Sequence, residues 1–442
     1  MKLKNRILHR GLVAVTALFL SASPVLAATK NVILMISDGQ GFNTVTATNY
    51  FTGIKPAYES FPVKLGMQTY SAGKRGGYVG APYCPSRMAT DFTYAMTGAT
   101  DSASAATAMY TGVKVYDNEV NYTPDSLTLE TFFEKAARAG KSIGAVSTVQ
   151  LTHATPVAVF GHNKSRNNYS EMAMEAIYGS HPNANNNHYD AVNYNGNLKV
   201  VMGTGHPLFD ANGQSQTANY TYVGGEAAWN DLKAGVNGWT KVDTLAGFLK
   251  LMCGRTPDKV FGVAPNISTL QFDRDGKGDL NDKSRPYDGA LLRKTPNLTV
   301  MTRAALNVLD NNKKGFALMI EGGAIDWANH ADLAGRMIEE QIDFNAAVRE
   351  VVRYLDSNTN GNNWKNTLLI VTADHECGYL WGDGRVAGST YFDVNRDGDF
   401  DHGVDYAHVK NNGIGRLPAV WYHSTNHTNS LVPLYAKGAG SE

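Results

Sequence analysis

Three short segments of the chain are almost entirely apolar, and each predicts a buried strand. They are NVILMIS at 31–37, GFALMI at 315–320 and NTLLIVTA at 366–373. Continuous apolar runs of this length are typical of parallel strands covered on both faces, because neither face of such a strand meets water. We therefore expect these segments to belong to one parallel sheet.

Other segments have apolar residues spaced three or four apart, which predicts helices. One such run extends from Leu129 to Ala137 and ends before Gly140, and another extends from Phe344 to Leu355. Strands that alternate with helices predict a doubly wound α/β fold, with a mostly parallel central sheet and helices on both faces. We expect residues 28–442 to form a single domain of this type.

Two regions have no clear period. Residues 181–225 are rich in Asn, Gly and Tyr, and residues 383–418 are rich in Gly, Asp and Asn. Long stretches without a strand or helix pattern are typical of surface loops. We interpret both regions as insertions on the surface of the domain.

The first 27 residues have the pattern of a secretory signal peptide. Four Lys or Arg and no acid lie in residues 1–10, an apolar run fills 11–20, and small residues precede a cleavage point after Ala27. The apolar run is too short to span a membrane, and no later segment is long enough. We expect a secreted or periplasmic protein.

Charge and cysteine content narrow the function classes. The chain has 40 basic and 40 acidic residues, so without residues 1–27 the acids exceed the bases by four. A nucleic-acid-binding protein needs a basic surface, and we expect no specific nucleic-acid partner. Cys84, Cys253 and Cys377 permit at most one internal disulfide, whose pairing stays open.

Each of the three apolar segments is followed at once by an acidic residue. These acids are Asp38, Glu321 and Asp374, and His375 adjoins the last. Ligands of open α/β sheets bind beyond the carboxyl ends of the strands. One acid there is often only a helix cap, but three acids would repel one another in a partly dry site unless cations neutralised them. The pattern favours a metal site.

A second set of candidate ligands follows Glu321. Asp326 and His330 are four residues apart, which places them on one face of a helix. Asp and His ligands with an open coordination position are typical of catalytic zinc. Either His423 or His427, near the end of the chain, could complete this set.

The run GATDSASAATAMYTG at 98–112 places Asp101 and Ser102 where a helix starts. Both residue types cap helices, because their side-chain oxygens accept hydrogen bonds from free backbone N–H groups. A serine there could instead be a nucleophile, since the helix N-terminus favours a bound phosphoryl group. The stretch alone favours the cap, and the neighbouring metal-type ligands favour the nucleophile.

Taken together, these residues resemble the alkaline phosphatase family. The motifs occur in order over nearly the whole chain: ISDGQG, TDSASAATA, THATP, SR, EGGAIDWANH, TADHE and NHTNSLVP. The resemblance implies a metal-dependent enzyme that hydrolyses small phosphate monoesters to an alcohol and inorganic phosphate through a phosphoserine at Ser102. It also implies a homodimer.

The resemblance implies two zinc ions and one magnesium ion. The three ligand sets are Asp38, Asp374 and His375; Asp326, His330 and His427; and Asp38, Thr155 and Glu321. Within the second set the family motif favours His427 over His423. Arg166 is expected to face the phosphate, with Asp101 orienting its guanidinium group.

Two positions depart from the best-known enterobacterial pattern. His153 stands where that pattern has Asp, and Trp327 stands where it has Lys, a combination that other family members share. Imidazole favours softer ions than a carboxylate does, so the third site is expected to take magnesium or, because of His153, cobalt or manganese.

Three other functions are possible from the residues. A sulfatase is suggested by YCPSR at 83–87, but sulfatases use Cys-x-Pro-x-Arg, and the spacing here is one residue short. We therefore interpret Cys84 as a structural or disulfide cysteine. A phosphodiesterase of the same superfamily and a secreted metal- or phosphate-binding protein without turnover are the other two alternatives.

A possible structural calcium site lies in FDVNRDGDFDHGVD at 392–405. Its candidate ligands are Asp393, Asn395, Asp397, Asp399 and Asp401, with Gly398 at the sharp turn. Position 12 is Val404, so this is not an EF-hand, although Asp405 follows. The alternative is an ordinary acidic turn. FDRDGKGDLND at 272–282 is a weaker copy.

Overall fold

A computed structural model describes residues 29–125, 127–179, 196–274, 285–401 and 404–442. The strands of these ranges are β1 (Asn31–Ser37), β2 (Val63–Met67), β3 (Ser142–Gln150), β4 (Leu198–Thr204), β5 (Trp239–Val242), β6 (Lys259–Val263), β7 (Phe316–Gly322), β8 (Thr367–Thr372), β9 (Glu376–Cys377), β10 (Leu380–Trp381), β11 (Tyr391–Phe392), β12 (Tyr406–Ala407), β13 (Trp421–Tyr422), β14 (His427–Thr428) and β15 (Val432–Gly438).

Nine of these strands form one large sheet, in the order β2-β15-β8-β1-β7-β3-β4-β6-β5. The seven strands from β8 to β5 run parallel, whereas β15 is antiparallel to both β8 and β2. The three predicted strands are β1, β7 and β8, which lie side by side in the middle of the sheet. The mostly parallel sheet that the sequence predicts is confirmed.

The helices of the described residues are α1 (Phe42–Thr52), α2 (Pro85–Thr90), α3 (Ser102–Thr111), α4 (Phe132–Arg138), α5 (Ala154–Val157), α6 (Tyr169–Tyr178), α7 (Gly225–Ala234), α8 (Leu245–Leu251), α9 (Leu298–Leu309), α10 (Ala324–His330) and α11 (Ala334–Asp356). Short 3₁₀ turns cover Ala57–Ser60, Phe92–Met96, Thr221–Val223, Val236–Gly238 and Thr359–Gly361.

Helices cover both faces of the sheet, and β1 shows why. Its side chains alternate between the faces, so Ile33 and Met35 enter one apolar cluster while Leu34 and Ile36 enter another. The first cluster contains residues of α8, α9 and α11, and the second contains residues of α3 to α7. Burial on both faces explains the continuous apolar run of this strand and confirms the doubly wound arrangement.

The prediction of a surface insertion at 181–225 was wrong for part of this region. Leu198–Thr204 forms β4, which pairs with β3 and β6 inside the large sheet and is almost wholly buried. Its short apolar run, VVM, was hidden among polar neighbours. Residues 180–195 lie outside the described part of the chain.

The predicted helix near Leu129 is shorter than expected, because α4 begins at Phe132. Thr131 caps it by accepting the N–H of Glu134, and the Glu134 carboxylate accepts the N–H of Thr131 in return. This reciprocal capping box fixes the first turn and excludes Leu129 from the helix.

The described residues of the second predicted insertion, 383–418, do not join the large sheet. They contain the two-stranded pair of β11 and β12. The predicted signal peptide at 1–27 lies outside the described residues. Among the helices that the structure describes, none combines the length and the apolar character that a membrane span requires.

Candidate active site

The carboxyl ends of three neighbouring strands bring acids together inside the protein. Glu321 of β7 pairs in register with Ile36 of β1, two residues before Asp38, and Asp374 follows the adjacent β8. The side chains of these three acids are at most 1% exposed. The structure therefore assembles the acids as the sequence predicts.

Gly39 permits this close approach. Its φ is +72°, and a Cβ at this position would lie 2.8 Å from the Cα of Asp326. Any larger residue would push the end of β1 away from α10, and the two acids Asp38 and Asp326 would separate.

One group of candidate metal ligands contains Asp38, Asp374 and His375. The His375 Nε2 atom lies 3.1 Å from Asp374 Oδ2 and 3.6 Å from Asp38 Oδ1. Asp374 Oδ1 accepts the backbone N–H groups of Gly39 and His375, which orients the carboxylate. Asp374 Oδ2 and Asp38 Oδ1 are buried without a hydrogen-bond partner among the described residues, as expected of oxygens that face a cation.

A second group contains Asp326, His330 and His427, together with Cys377. The Nε2 atoms of the two histidines lie 2.9 Å apart, and they lie 3.5 and 3.3 Å from the Asp326 oxygens. The Nδ1–H groups donate to the carbonyls of Thr425, at 2.6 Å, and Thr100, at 2.9 Å. A carbonyl only accepts, so in the neutral rings both Nε2 lone pairs face the cluster.

The third predicted ligand set, Asp38, Thr155 and Glu321, also lies at this end of the sheet. Thr155 Oγ1 and Glu321 Oε1 are buried and, within the part of the chain that the structure describes, have no hydrogen-bond partner, like the Asp38 oxygen described above. The other Glu321 oxygen accepts a very short hydrogen bond from Ser147 Oγ of β3. Unsatisfied oxygens of this kind are the donors that magnesium prefers.

The charges at this site also favour bound cations. Burial, followed by the negative charges of Asp374 and Asp326, raises the pKa of Asp38 well above its usual value. Burial and then Asp374 raise the pKa of Glu321 to about 7. Burial and then Asp326 raise the pKa of Asp374 to about 6. Cations between these carboxylates would relieve this repulsion, so the residues present fit two zinc ions and a third hard ion.

Asp101 and Ser102 take different places at the start of α3. Asp101 is the N-cap of α3 and accepts the Ser104 N–H at 3.0 Å, and Ser102 is the first helical residue. The Ser102 side chain is buried, and its Oγ lies 3.2 Å from His375 Nε2. The cap is therefore Asp101, which leaves the Ser102 hydroxyl facing the first group of candidate ligands.

Arg166 is held beside the serine by the same aspartate. Its Nη1 lies 2.9 Å from Asp101 Oδ2, and Oδ1 accepts the N–H of Asn118 at 3.1 Å in addition to the helix cap. The Arg166 side chain is 13% exposed. An open cleft of about 290 Å³ adjoins this region and is lined by Asp101, His330 and His427. The cleft leaves this side of the site open to solvent.

His153 and Trp327, the two departures from the enterobacterial pattern, lie in contact. Their rings meet edge to face with centroids 5.5 Å apart. His153 Nε2 lies 3.5 Å from Arg166 Nη2. Burial and then the Arg166 charge lower the pKa of His153 to about 3, which keeps the ring neutral and available as a ligand.

Two site residues were missed by the sequence analysis. Ser147 is an ordinary strand residue by its pattern, and Cys377 was treated only as a possible disulfide partner. All three cysteines are free thiols, so the one disulfide that the sequence permits does not form, and Cys84 is not a disulfide cysteine. Burial raises the pKa of the Cys377 thiol well above its usual value. The predicted alternative His423 packs against Phe92, away from this cluster.

The predicted calcium loop joins β11 to β12. Asp405 is fully buried, and its two oxygens accept the N–H groups of Val394 and Asp401. Asp393 accepts the N–H groups of Asp397 and Gly398. These bonds hold the loop by themselves, so calcium binding at Asp393, Asn395, Asp397, Asp399 and Asp401 stays a prediction. Residues 275–282 of the weaker copy lie outside the described residues.

Known proteins resemble this chain over most of its length. Alkaline phosphatase 4 of Bacillus subtilis is 29% identical over 358 residues, which cover 80% of this chain and 62% of that protein. Alkaline phosphatase of Escherichia coli is 27% identical over 369 residues, which cover 78% and 70%. The match thus spans less than two thirds of the length of the Bacillus protein.

Solved structures share the fold. Alkaline phosphatase from the Antarctic bacterium TAB5 has a TM-score of 0.60 at 23% identity, with 94% of this chain and 93% of that chain covered. The Thermus thermophilus alkaline phosphatase has a TM-score of 0.62 at 21% identity, with 93% and 87% covered. The sequence model of the alkaline phosphatase family matches residues 29–428. Since this match includes almost all of the described chain, the protein belongs to the alkaline phosphatase family.

Proposed function

We propose that this protein hydrolyses phosphate monoesters to an alcohol and inorganic phosphate, with Ser102 as the nucleophile. The observation that carries the proposal is the position of the Ser102 hydroxyl, 3.2 Å from His375 Nε2. It lies at the N-terminus of α3, where free N–H groups favour a phosphoryl group. Arg166, held by Asp101, lies on the same side.

The reaction proceeds in two displacements. Ser102 Oγ loses its proton and forms a bond to phosphorus, while the bond between phosphorus and the alcohol oxygen breaks and the alcohol leaves with a proton from water. Water then attacks the phosphoserine, the P–Oγ bond breaks, and Ser102 regains a proton. Each displacement inverts the configuration at phosphorus, so the net result is retention.

The chain's own residues position the substrate for these steps. The planar guanidinium of Arg166 offers two N–H groups that match two phosphoryl oxygens. Asp101 fixes that guanidinium, and at the same time it fixes the first turn of α3. The family resemblance implies that the alcohol group of the substrate stays in solvent, which predicts a broad range of phosphate monoesters.

Metal ions are part of this proposal. Zinc would be held by Asp38, Asp374 and His375 and by Asp326, His330 and His427, and it would supply Lewis-acid stabilisation of the attacking and leaving oxygens. Asp38, Thr155 and Glu321 would hold magnesium, with Ser147 orienting Glu321; His153 would allow cobalt or manganese. Two solved variants of the TAB5 enzyme, with a histidine replaced by Asp or Glu, carry magnesium in a site called M3.

Acid quenching tests the phosphoserine. The protein would be incubated with a phosphate monoester, quenched in acid and analysed by intact mass and peptide mapping. We expect one phosphoryl group on Ser102, and none on the Ser102→Ala variant. A fully active protein without this adduct would contradict a serine nucleophile.

Substrate comparison separates the alternatives. We expect p-nitrophenyl phosphate to be hydrolysed much faster than the corresponding sulfate or bis-ester. Faster sulfate hydrolysis would identify a sulfatase, and faster diester hydrolysis a phosphodiesterase. A protein that binds zinc and phosphate but turns over none of the three would be a binding protein.

Three further features belong to this proposal. The protein acts as a homodimer, it is exported to the periplasm or the medium by the segment at 1–27, and its 392–405 loop binds a structural calcium ion. The family membership and the patterns given above support these statements. Light scattering of the purified protein and N-terminal sequencing of the exported chain test the first two.

A further inference from the structure

We propose that Cys377 is a fourth protein ligand of the ion held by Asp326, His330 and His427, and that its thiolate makes this site prefer thiophilic ions. The inference rests on the metal site of the proposed function. It concerns the metal preference of this site, which the hydrolytic reaction does not itself require.

The position of Cys377 is fixed by a small sheet. Cys377 of β9 lies directly opposite His427 of β14 in the antiparallel pair, and opposite residues of such a pair project on the same side. The Cys377 N–H donates to the Gly39 carbonyl at 3.1 Å, which ties β9 to the end of β1. The thiol is therefore built into the site by backbone pairing.

The thiol is also within reach of the ion that the other three residues would hold. Its Sγ, one Asp326 oxygen and one ring nitrogen of each histidine all lie within 4.8 Å of one another. Zinc bonds of about 2.0 Å to nitrogen and about 2.3 Å to sulfur place the ligand atoms of one ion about 3 to 4 Å apart, so a shift of about 1 Å brings Sγ into the coordination sphere. Cys377 is fully buried, and the protein contact of Sγ is the Asp326 carbonyl at 3.8 Å.

The rest of the site supplies an independent sign of a ligand. Asp326 Oδ1 is buried and has no hydrogen-bond partner in the described ranges, and the Asp326 side chain is 7% exposed. The Nε2 atoms of His330 and His427 face each other at 2.9 Å, so one proton at most can lie between them. Ligand atoms of these three residues all lie within 4.8 Å of one another and of Cys377 Sγ.

Ligation by this thiol has a defined chemistry. The S–H bond breaks as the bond from sulfur to the metal forms, and the proton leaves to solvent. A set of two imidazoles, one carboxylate and one thiolate favours zinc and cadmium over magnesium or manganese, because thiolates select soft ions. The group at Asp38, Asp374 and His375 contains no sulfur, so the two sites would differ in metal preference.

Cadmium absorption tests this proposal independently of activity. The full chain carrying Cys84→Ser and Cys253→Ser, with Cys377 as its only thiol, would be stripped with a chelator and titrated with Cd²⁺. We expect a thiolate-to-cadmium charge-transfer band in the ultraviolet that saturates at one ion per chain. The matched protein with Cys377→Ser should lack the band. It should bind the transition ion of the Asp326, His330 and His427 site at least tenfold less tightly, with unchanged magnesium affinity.

The outcomes separate this proposal from the proposed function. If the Cys377-only protein binds cadmium fully by elemental analysis and still lacks the band, that result overturns thiolate ligation, whatever the phosphatase activity. The band in a protein that hydrolyses no phosphate ester would support ligation and contradict the proposed function instead. Since the first measurement uses intact Cys377, it decides the matter even if Cys377→Ser does not fold.

Discussion

The Nε2 atoms of His330 and His427 face each other at 2.9 Å, although 97 positions separate the two residues in the chain. Each ring is locked by an Nδ1–H bond to a backbone carbonyl, so neither can turn its other nitrogen inwards. Two lone pairs at this distance repel unless a proton or a metal ion lies between them. The backbone has therefore set these rings for a cation before any ion binds.

Removal of metal ions should abolish activity and destabilise the protein. We expect a chelator to eliminate p-nitrophenyl phosphate hydrolysis and lower Tm, and zinc to restore both, because an ion that binds only the folded state stabilises it. Elemental analysis of the active protein should find at least two transition ions per chain. Full activity with fewer would contradict two zinc sites.

The Ser102→Ala variant should lose at least three orders of magnitude in kcat, a loss of about the size that removal of a nucleophile causes. Its Tm should change little, since Asp101 rather than Ser102 caps α3. Ser357→Ala is a matched control, because Ser357 lies at the end of α11, where its exposed hydroxyl donates to the Arg353 carbonyl. The control should keep full activity.

Asp101 holds a helix with one oxygen and Arg166 with the other, so two variants should separate these roles. Asp101→Asn keeps the cap but presents an amide to the guanidinium; we expect Tm to stay and kcat/KM to fall about 10- to 100-fold through misplaced Arg166. Asp101→Ala should also lose about 1 kcal/mol of stability with the cap.

Asp91→Asn is the control for this pair, because Asp91 also caps a helical turn and binds an arginine, Arg87, at an exposed position. Steady-state kinetics and thermal unfolding of the three variants give the result. An Asp101→Asn variant as active as Asp91→Asn would mean that Arg166 needs no positioning.

Much of the site could be predicted because it depends on strand ends. Asp38, Glu321 and Asp374 each end an apolar run, and a parallel sheet brings such ends to one edge. Asp326 and His330 needed only helical spacing. These signals are local, so they are readable without knowing which strands are neighbours.

The remaining features depend on contacts that no local pattern encodes. Cys377 reaches the second cluster through the register between β9 and β14, fifty residues apart, and Ser147 meets Glu321 across the pair of β3 and β7. β4 was missed because its apolar run, VVM, is too short to predict a strand. These three features could be predicted only after the order of the strands in the sheets was known.

The buried cluster of Glu175, His162 and Glu134 should make the fold less stable as the pH rises. Burial raises the pKa of Glu175 from 4.5 to about 8. The folded state thus keeps a proton that the unfolded chain loses above pH 4.5, so this contribution is complete below that pH and is lost as the pH rises through about 8. The pKa of His162, raised by Glu134 against the effect of burial, acts in the same direction.

We therefore expect Glu175→Gln to flatten the decline of Tm between about pH 5 and 8, measured with zinc and magnesium saturating throughout. Glu171→Gln, on the same helix but only partly buried, is the control and should keep the decline. An unchanged pH profile in Glu175→Gln would show that Glu175 is ionised in the folded protein.

The 392–405 loop allows calcium binding to be separated from the loop's own hydrogen bonds. Both oxygens of Asp405 accept backbone N–H groups, so Asp405→Ala should lower Tm with or without calcium. Asp397 and Asp399 are exposed, so we expect their carboxylates to contribute to stability chiefly when they bind an ion. We expect calcium, at saturating zinc and magnesium, to raise the Tm of the unaltered protein but not that of Asp397→Ala/Asp399→Ala. Equal Tm values with and without calcium in the unaltered protein would make this loop an ordinary acidic turn, held by its own hydrogen bonds.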